Sequence, residues 1–135
     1  MTKLNQIYKC EICGNIVNIL HTGAGELVCC NQPMTLEIEK EKDTGVEKHL
    51  PIFEKLTANI CKGGDGVVIK IGETKHPMEE DHYIEWIEIL TTDNKVGRKF
   101  LKPTDQPEAE FHSRSKIKEI RSYCNIHGLW KITLK

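Results

Sequence analysis

Tyr83-Ile84-Glu85-Trp86-Ile87-Glu88-Ile89-Leu90 is the clearest reading in this chain of 135 residues. Aromatic and β-branched residues recur through it with partial alternation, which suits a pleated, half-buried surface better than a helical stripe. The pattern predicts a strand over 83–90, closed by a turn at Thr92-Asp93-Asn94. Working outward, Leu50 to Leu56, Val67 to Gly72, Lys95 to Lys102, Lys116 to Tyr123 and Leu129 to Leu134 read as further strands. Pro51 places the first of these at a sheet edge or a strand start, because proline has no N–H to give to a ladder. Gly63-Gly64-Asp65-Gly66 reads as a turn, residues 103–107 as a loop, and Glu110-Phe111-His112-Ser113-Arg114 as a polar segment. Short strands, frequent turns and no convincing helix predict an all-β chain built around a sandwich.

The N-terminal quarter is organised differently. Short β-branched runs alternate with glycine-containing turns as far as Pro33-Met34, and residues 1–37 read as a unit of their own. A segment below about 40 residues rarely buries enough apolar surface to fold alone, so it needs a staple. The charged stretch from Glu37 to Gly45 reads as a linker, and residues 38–135 as the second unit.

Composition narrows the function. Nineteen Lys and Arg stand against twenty Asp and Glu, a formal net charge of -1, whereas a general nucleic-acid or membrane-surface binder needs a basic excess. No apolar run approaches the roughly 20 residues of a membrane span. Met1 to Gln6 lacks the apolar core of an export signal, so the expected location is cytoplasmic and reducing. In that compartment six cysteines and six histidines point to metal binding before disulfides.

Cys10-x2-Cys13 followed by Cys29-Cys30 gives four thiolates close together. The Cys-x2-Cys turn lets both sulfurs face one ion, and Gly14 can take a positive φ that aims backbone N–H groups at sulfur. Neighbouring side chains in extended chain point apart, so Cys29 and Cys30 require a local bend to share that ion. A tetrahedron of thiolates suits zinc or a single iron, and spacing alone does not choose between them. In the second unit, His49, the His76/His82 pair and Cys124-x2-His127 could form a five-coordinate site with one open position. Imidazole-rich ligation suits iron, copper or zinc, and an open position suggests chemistry rather than structure.

Together these stretches resemble the two-iron superoxide reductases, or desulfoferrodoxins. The matching residues are Cys10-x2-Cys13 with Cys29-Cys30, Glu47-Lys48-His49-x-Pro51, His76-Pro77-Met78-Glu79-Glu80-x-His82-x-Ile84-Glu85-Trp86, Phe100-Leu101-Lys102-Pro103 and Cys124-Asn125-x-His127-Gly128. The resemblance implies a small desulforedoxin-like metal domain over 1–37, followed by an immunoglobulin-like, neelaredoxin-like sandwich over 38–135. It implies two mononuclear irons per chain. One is a four-cysteine iron on Cys10, Cys13, Cys29 and Cys30. The other is a four-histidine, one-cysteine iron on His49, His76, His82 and His127 with Cys124 axial. The resemblance further implies reduction of superoxide to hydrogen peroxide, a rubredoxin-like electron donor, and a homodimer. Lys48 is implied as the cation that attracts superoxide, and Glu47 as the carboxylate that closes the open position after turnover.

Two other readings compete. A rubredoxin-like electron carrier uses the thiolate site alone and leaves the histidines unexplained. A zinc-stabilised binding module is disfavoured by the balanced charge and the second ligand set. Cys61, His21 and His112 fall outside every motif and read as a free thiol and two surface residues. Lys75 reads as a surface lysine, Glu79-Glu80-Asp81 as a solvated loop, and Trp86 and Trp130 as core residues.

Overall fold

The structure, a computed structural model, describes residues 1–42, 49–56, 65–72 and 76–134. Glu47, Lys48, Cys61, Lys75 and the Gly63-Gly64 half of the expected turn lie outside the described residues. The chain is all-β and divides into two compact units, Met1–Ile38 and Glu39–Lys135.

The first unit contains β1 (Ile7–Lys9), β2 (Ile16–Asn18), β3 (Val28–Cys29), β4 (Gln32–Pro33) and β5 (Thr35–Leu36). β1 lies between β2 and β5 in one small antiparallel sheet, and β3 and β4 form a separate hairpin. Among its described residues only Ile7, Cys10 and Ile19 are buried apolar groups, whereas Ile12, Leu20, Val28 and Ile38 are exposed. Such a core is too small to fold the unit without a staple.

The second unit contains β6 (Pro51–Leu56), β7 (Asp65–Ile71), β8 (Ile84–Thr91), β9 (Val96–Phe100), β10 (Glu108–Ser113), β11 (Ile117–Cys124) and β12 (Gly128–Thr133). They form two antiparallel sheets, β10-β7-β6 and β12-β11-β8-β9. One core joins them, drawing Val67, Ile69 and Ile71 of β7 and Ala109 of β10 together with Ile87 and Ile89 of β8 and Ile120 and Cys124 of β11. Among the described residues, seven strands in three-plus-four sheets match the immunoglobulin-like sandwich expected. Pro51 is the first residue of an edge strand, where its missing N–H costs no ladder bond.

Three readings need correction. Asp65 and Gly66 belong to β7 rather than to a turn, pairing with Ser113 and His112. The polar segment around His112 is strand β10, where Ala109 is buried and His112 faces outward. Its short polar alternation hid a strand that is half solvated. The third correction concerns the expected linker. Lys40 forms a parallel bridge with Trp130 of β12, and Glu39 is drawn into a charged row across the four-stranded sheet.

That row explains why the alternation along β8 is only partial: the strand is buried on both faces. Register sets Arg98, Glu88, Arg121 and Lys131 side by side across β9, β8, β11 and β12. Glu88, fully buried, accepts from Arg121 Nε at 2.8 Å and from Arg98 Nε at 2.9 Å. Arg121, 2% exposed, also donates to Glu39 at 3.2 Å, and Lys131 reaches the other Glu39 oxygen at 3.3 Å. Glu39, together with Glu119 at 3.9 Å from Lys131, offsets the excess of three cations over Glu88, and its pairing anchors this segment. Breaking a buried ion pair strands the surviving charge. Arg121→Met, with Arg98 still beside Glu88, is expected to destabilise the second unit by about 3 kcal/mol in equilibrium urea unfolding.

Candidate metal centres

The first cluster is built on two turns. In the knuckle, Gly14 N–H donates to Cys10 O at 2.9 Å and Cys10 N–H to Asn15 O at 2.8 Å. Gly14 has φ +83°, a conformation that residues bearing a Cβ rarely adopt. The backbone N–H groups of Cys13 and Asn15 consequently reach Cys10 Sγ and Cys13 Sγ, each at 3.5 Å, and the Asn15 amide reaches Cys29 Sγ at 3.8 Å. In the hairpin, Cys29 pairs with Gln32, so Cys30-Asn31 is a two-residue turn with φ of 51° and 66°. Positive φ at both positions suits the primed hairpin turns. This is the bend that lets adjacent cysteines face one ion.

The sulfurs of Cys10, Cys13, Cys29 and Cys30 lie within 4.8 Å of one another, with Cys13 and Cys29 at 3.6 Å. Thiolates bound tetrahedrally at about 2.3 Å stand about 3.8 Å apart, so the donors fit a four-coordinate ion. Their proton chemistry agrees. The Cys13 N–H beside Cys10 lowers its thiol to about 6, whereas hydrogen bonds to the Cys13 and Cys10 side chains push Cys30 up to about 12 and also raise Cys29. Four sulfurs this close do not all ionise without a cation among them.

The second cluster gathers donors from strand ends. His49 lies just before β6, His76 and His82 flank the segment leading into β8, and Cys124 ends β11 beside a register shift. Ligand atoms of His49, His76, His82 and Cys124 lie within 4.8 Å of one another. His127 completes the group: its Nδ1 is 3.1 Å from His49 Nε2 and 3.8 Å from Cys124 Sγ. Imidazole nitrogens bound at about 2.1 Å on adjacent corners of a square stand about 3.0 Å apart. The four rings close a circuit, with centroids 4.7 Å (His49–His76), 4.9 Å (His76–His82), 5.1 Å (His82–His127) and 4.8 Å (His127–His49) apart. Cys124, His49 and His76 are buried, His82 is half-buried and His127 exposed, so the circuit faces outward on its His82–His127 side.

Groups behind the donors hold them in place. His76 Nδ1 lies 2.7 Å from Pro77 O, which fixes the proton there and leaves Nε2 as the donor. The His49 ring stacks on Trp130 at 4.5 Å and 9°, giving that buried tryptophan a positioning role beyond the core role expected of it. Asn125 belongs to the motif, but its role is visible only in three dimensions. Its Oδ1 accepts from Tyr83 N–H at 3.0 Å and its Nδ2 donates to Asp81 O at 3.1 Å, so it clamps both neighbours of His82. Gly128, with φ +84°, lets the Cys124–His127 turn rejoin β12.

Of the other expectations, His21 and the loop Glu79-Glu80-Asp81 are exposed, and exposed His112 pairs with Glu110 at 2.8 Å.

The donor chemistry has measurable consequences. Cys13→Ser is expected to lose metal from the first cluster and keep it at the second, as elemental analysis of the purified variant will show. Because Cys29 and Cys30 hold their protons in the metal-free chain, loading the first cluster with zinc or ferrous ion is expected to release protons. Its apparent affinity should therefore fall as pH is lowered, and calorimetry in buffers of different ionisation enthalpy counts the protons.

Comparison with known proteins gives one answer. The family described as the desulfoferrodoxin N-terminal domain matches residues 2–36, and the desulfoferrodoxin family matches residues 41–133. A desulfoferrodoxin homolog of Archaeoglobus fulgidus is 52% identical over 131 residues, covering 97% of this chain and 98% of that protein. The crystal structure of the superoxide reductase from Treponema pallidum aligns with a TM-score of 0.74 at 24% identity, covering 95% of this chain and 97% of that one, a likeness of fold. A reduced mutant of the superoxide reductase (neelaredoxin) from Archaeoglobus fulgidus aligns with a TM-score of 0.54 at 30% identity, covering 73% of this chain and 99% of that one. With family matches over both units and a relative of this identity along nearly its whole length, the chain belongs to the desulfoferrodoxin family.

Proposed function

We propose that this protein is a superoxide reductase: one electron and two protons convert superoxide to hydrogen peroxide, without dioxygen as a product. The observation that carries this reading is the closed circuit of four imidazoles with a buried cysteine sulfur within ligand distance. The name of the neelaredoxin structure, aligned at 30% identity, supports it. The family has a four-cysteine centre and a four-histidine, one-cysteine centre, and this chain presents donors that fit both. In our assignment His49, His76, His82, His127 and Cys124 hold one iron, and Cys10, Cys13, Cys29 and Cys30 the other. Iron at the His/Cys centre, when bound, supplies the electron and an open position for a small anion.

The chain's residues supply the rest. Four neutral imidazoles leave the metal's positive charge largely uncompensated, which favours an anionic substrate. The Cys124 thiolate is buried, so its charge is not dissipated into water and pushes electron density toward the metal, the same lever used by haem–thiolate proteins. Pro77 O and the Trp130 ring keep His76 and His49 in the required tautomer and plane. Lys48 attracts superoxide, stabilises the developing peroxide charge and orders a proton-delivering water. Glu47 closes the centre between turnovers. The four-cysteine iron at minimum folds a unit with a very small core, a task for which a structural metal's apparent ~10–16 kcal/mol is ample. A rubredoxin-like donor, a homodimer and a cytoplasmic location complete the proposal. No helix among the described residues is long and apolar enough to cross a membrane.

Iron and zinc content per chain tests the proposal first, on protein from iron-supplemented, anaerobically handled cells. Two irons with stoichiometric peroxide from superoxide and no dioxygen are expected; zinc alone would overturn the assignment. Lys48→Ile is expected to slow the reaction with superoxide by about tenfold or more at low salt with both irons retained, as stopped-flow or pulse radiolysis would measure. An unchanged rate removes Lys48 from the mechanism.

A further inference from the structure

Lys40 falls in the stretch that reads as a linker, yet its ammonium touches the backbone of one proposed ligand and the ring that stacks on another. Its backbone is fixed first: Lys40 N–H donates to Leu129 O and Lys131 N–H donates to Lys40 O, both at 2.9 Å. The preceding Glu39 is ion-paired with Arg121 and Lys131, so the side chain of Lys40 starts from an anchored point. Its ammonium then makes two contacts. It donates to the backbone carbonyl of His127, and it lies over the Trp130 ring, 5.2 Å from the centroid. That same ring stacks on His49, and His49 Nε2 is 3.1 Å from His127 Nδ1. One cation therefore bears on adjacent members of the imidazole circuit, on one through its carbonyl and on the other through an indole.

We infer that Lys40 is a positioning residue of the His/Cys centre that fixes its His49–His127 edge and, through its fixed positive charge, raises the centre's reduction potential. The inference rests on the reading that His49 and His127 hold iron. Two physical effects combine. The carbonyl hydrogen bond and the cation–π contact restrain the turn carrying His127 and the ring packed on His49. A fixed positive charge beside the centre favours the less positive metal state, the ferrous one. Because the Lys40 side chain is exposed, its field is partly screened and weakens with salt.

The test uses the full chain loaded with both irons. Each centre is titrated potentiometrically and followed by its own visible absorption. In Lys40→Gln the ferrous-to-ferric ratio of the His/Cys iron at fixed potential is expected to fall roughly threefold or more at low salt. Raised salt should shrink the difference. Lys40→Arg keeps the charge and a donor and should restore the parent ratio to within roughly twofold. A merely structural staple would alter thermal stability or iron retention without this charge-dependent shift and rescue. An unchanged couple in Lys40→Gln, or failure of Lys40→Arg to restore a changed one, overturns the inference. Absence of a second iron couple in the parent chain overturns the ligand reading itself, and Lys40's role with it.

Discussion

The antiparallel pairing of β8 with β11 is the constraint on which the second unit depends. Its inward face supplies Ile87, Ile89 and Ile120 to the core, and its outward face the buried Glu88–Arg121 pair. A register shift between Tyr123 and Cys124 closes the ladder, and the cysteine sulfur lies at that end. Cys124 thus belongs at once to the hydrophobic core and to the ligand cluster. The chain immediately beyond it turns back so that Asn125 and His127 serve the cluster before β12 begins. Hydrophobic packing therefore fixes where the sulfur stands before any metal arrives.

The two clusters use opposite strategies. In the first, short turns with positive φ at Gly14, Cys30 and Asn31 bring the sulfurs together, and little apolar surface holds those turns. Cys10 favours the thiolate whereas Cys29 and Cys30 favour the thiol, so a cation is what reconciles them. Metal binding and folding are one event in such a unit. In the second cluster the donors project from the ends of a packed sandwich, and a carbonyl, an indole and an asparagine orient them. Preorganisation of this kind means that the protein, rather than a metal, sets the geometry of these donors.

The charged row across the four-stranded sheet connects this scaffold to the site. Arg121 and Lys131 leave positive charge near β12, and Glu39 answers it. Anchoring Glu39 places Lys40 against Trp130 and His127. A segment that local composition marks as a linker is in this way held against the end of the sandwich that carries the ligand cluster. Ion pairing that is costly to bury becomes useful here because its geometry determines where a neighbouring charge stands.

The all-β class and the main strands of the sandwich were legible in the residues alone, through the density of β-branched side chains between turns. The Cys-x2-Cys and Cys-x2-His halves of the two clusters were legible through spacing, whereas the place of His49, His76 and His82 in the second was assigned only by the family resemblance. Local spacing suffices for those halves because a Cys-x2-Cys turn or a Cys-x2-His turn is a short-range geometry. Strand β10 was not legible, because alternation in a short polar segment is weak and only Ala109 in it is fully buried. The Glu88–Arg121–Glu39 network, the Trp130 stack under His49 and the Asn125 clamp joined residues 33, 82, 81 and 44 positions apart, and only tertiary pairing could bring them together. That Lys40 reaches the centre at all was likewise decided by its bridge to a strand distant in sequence, because residue spacing carries no information about partners across a sheet.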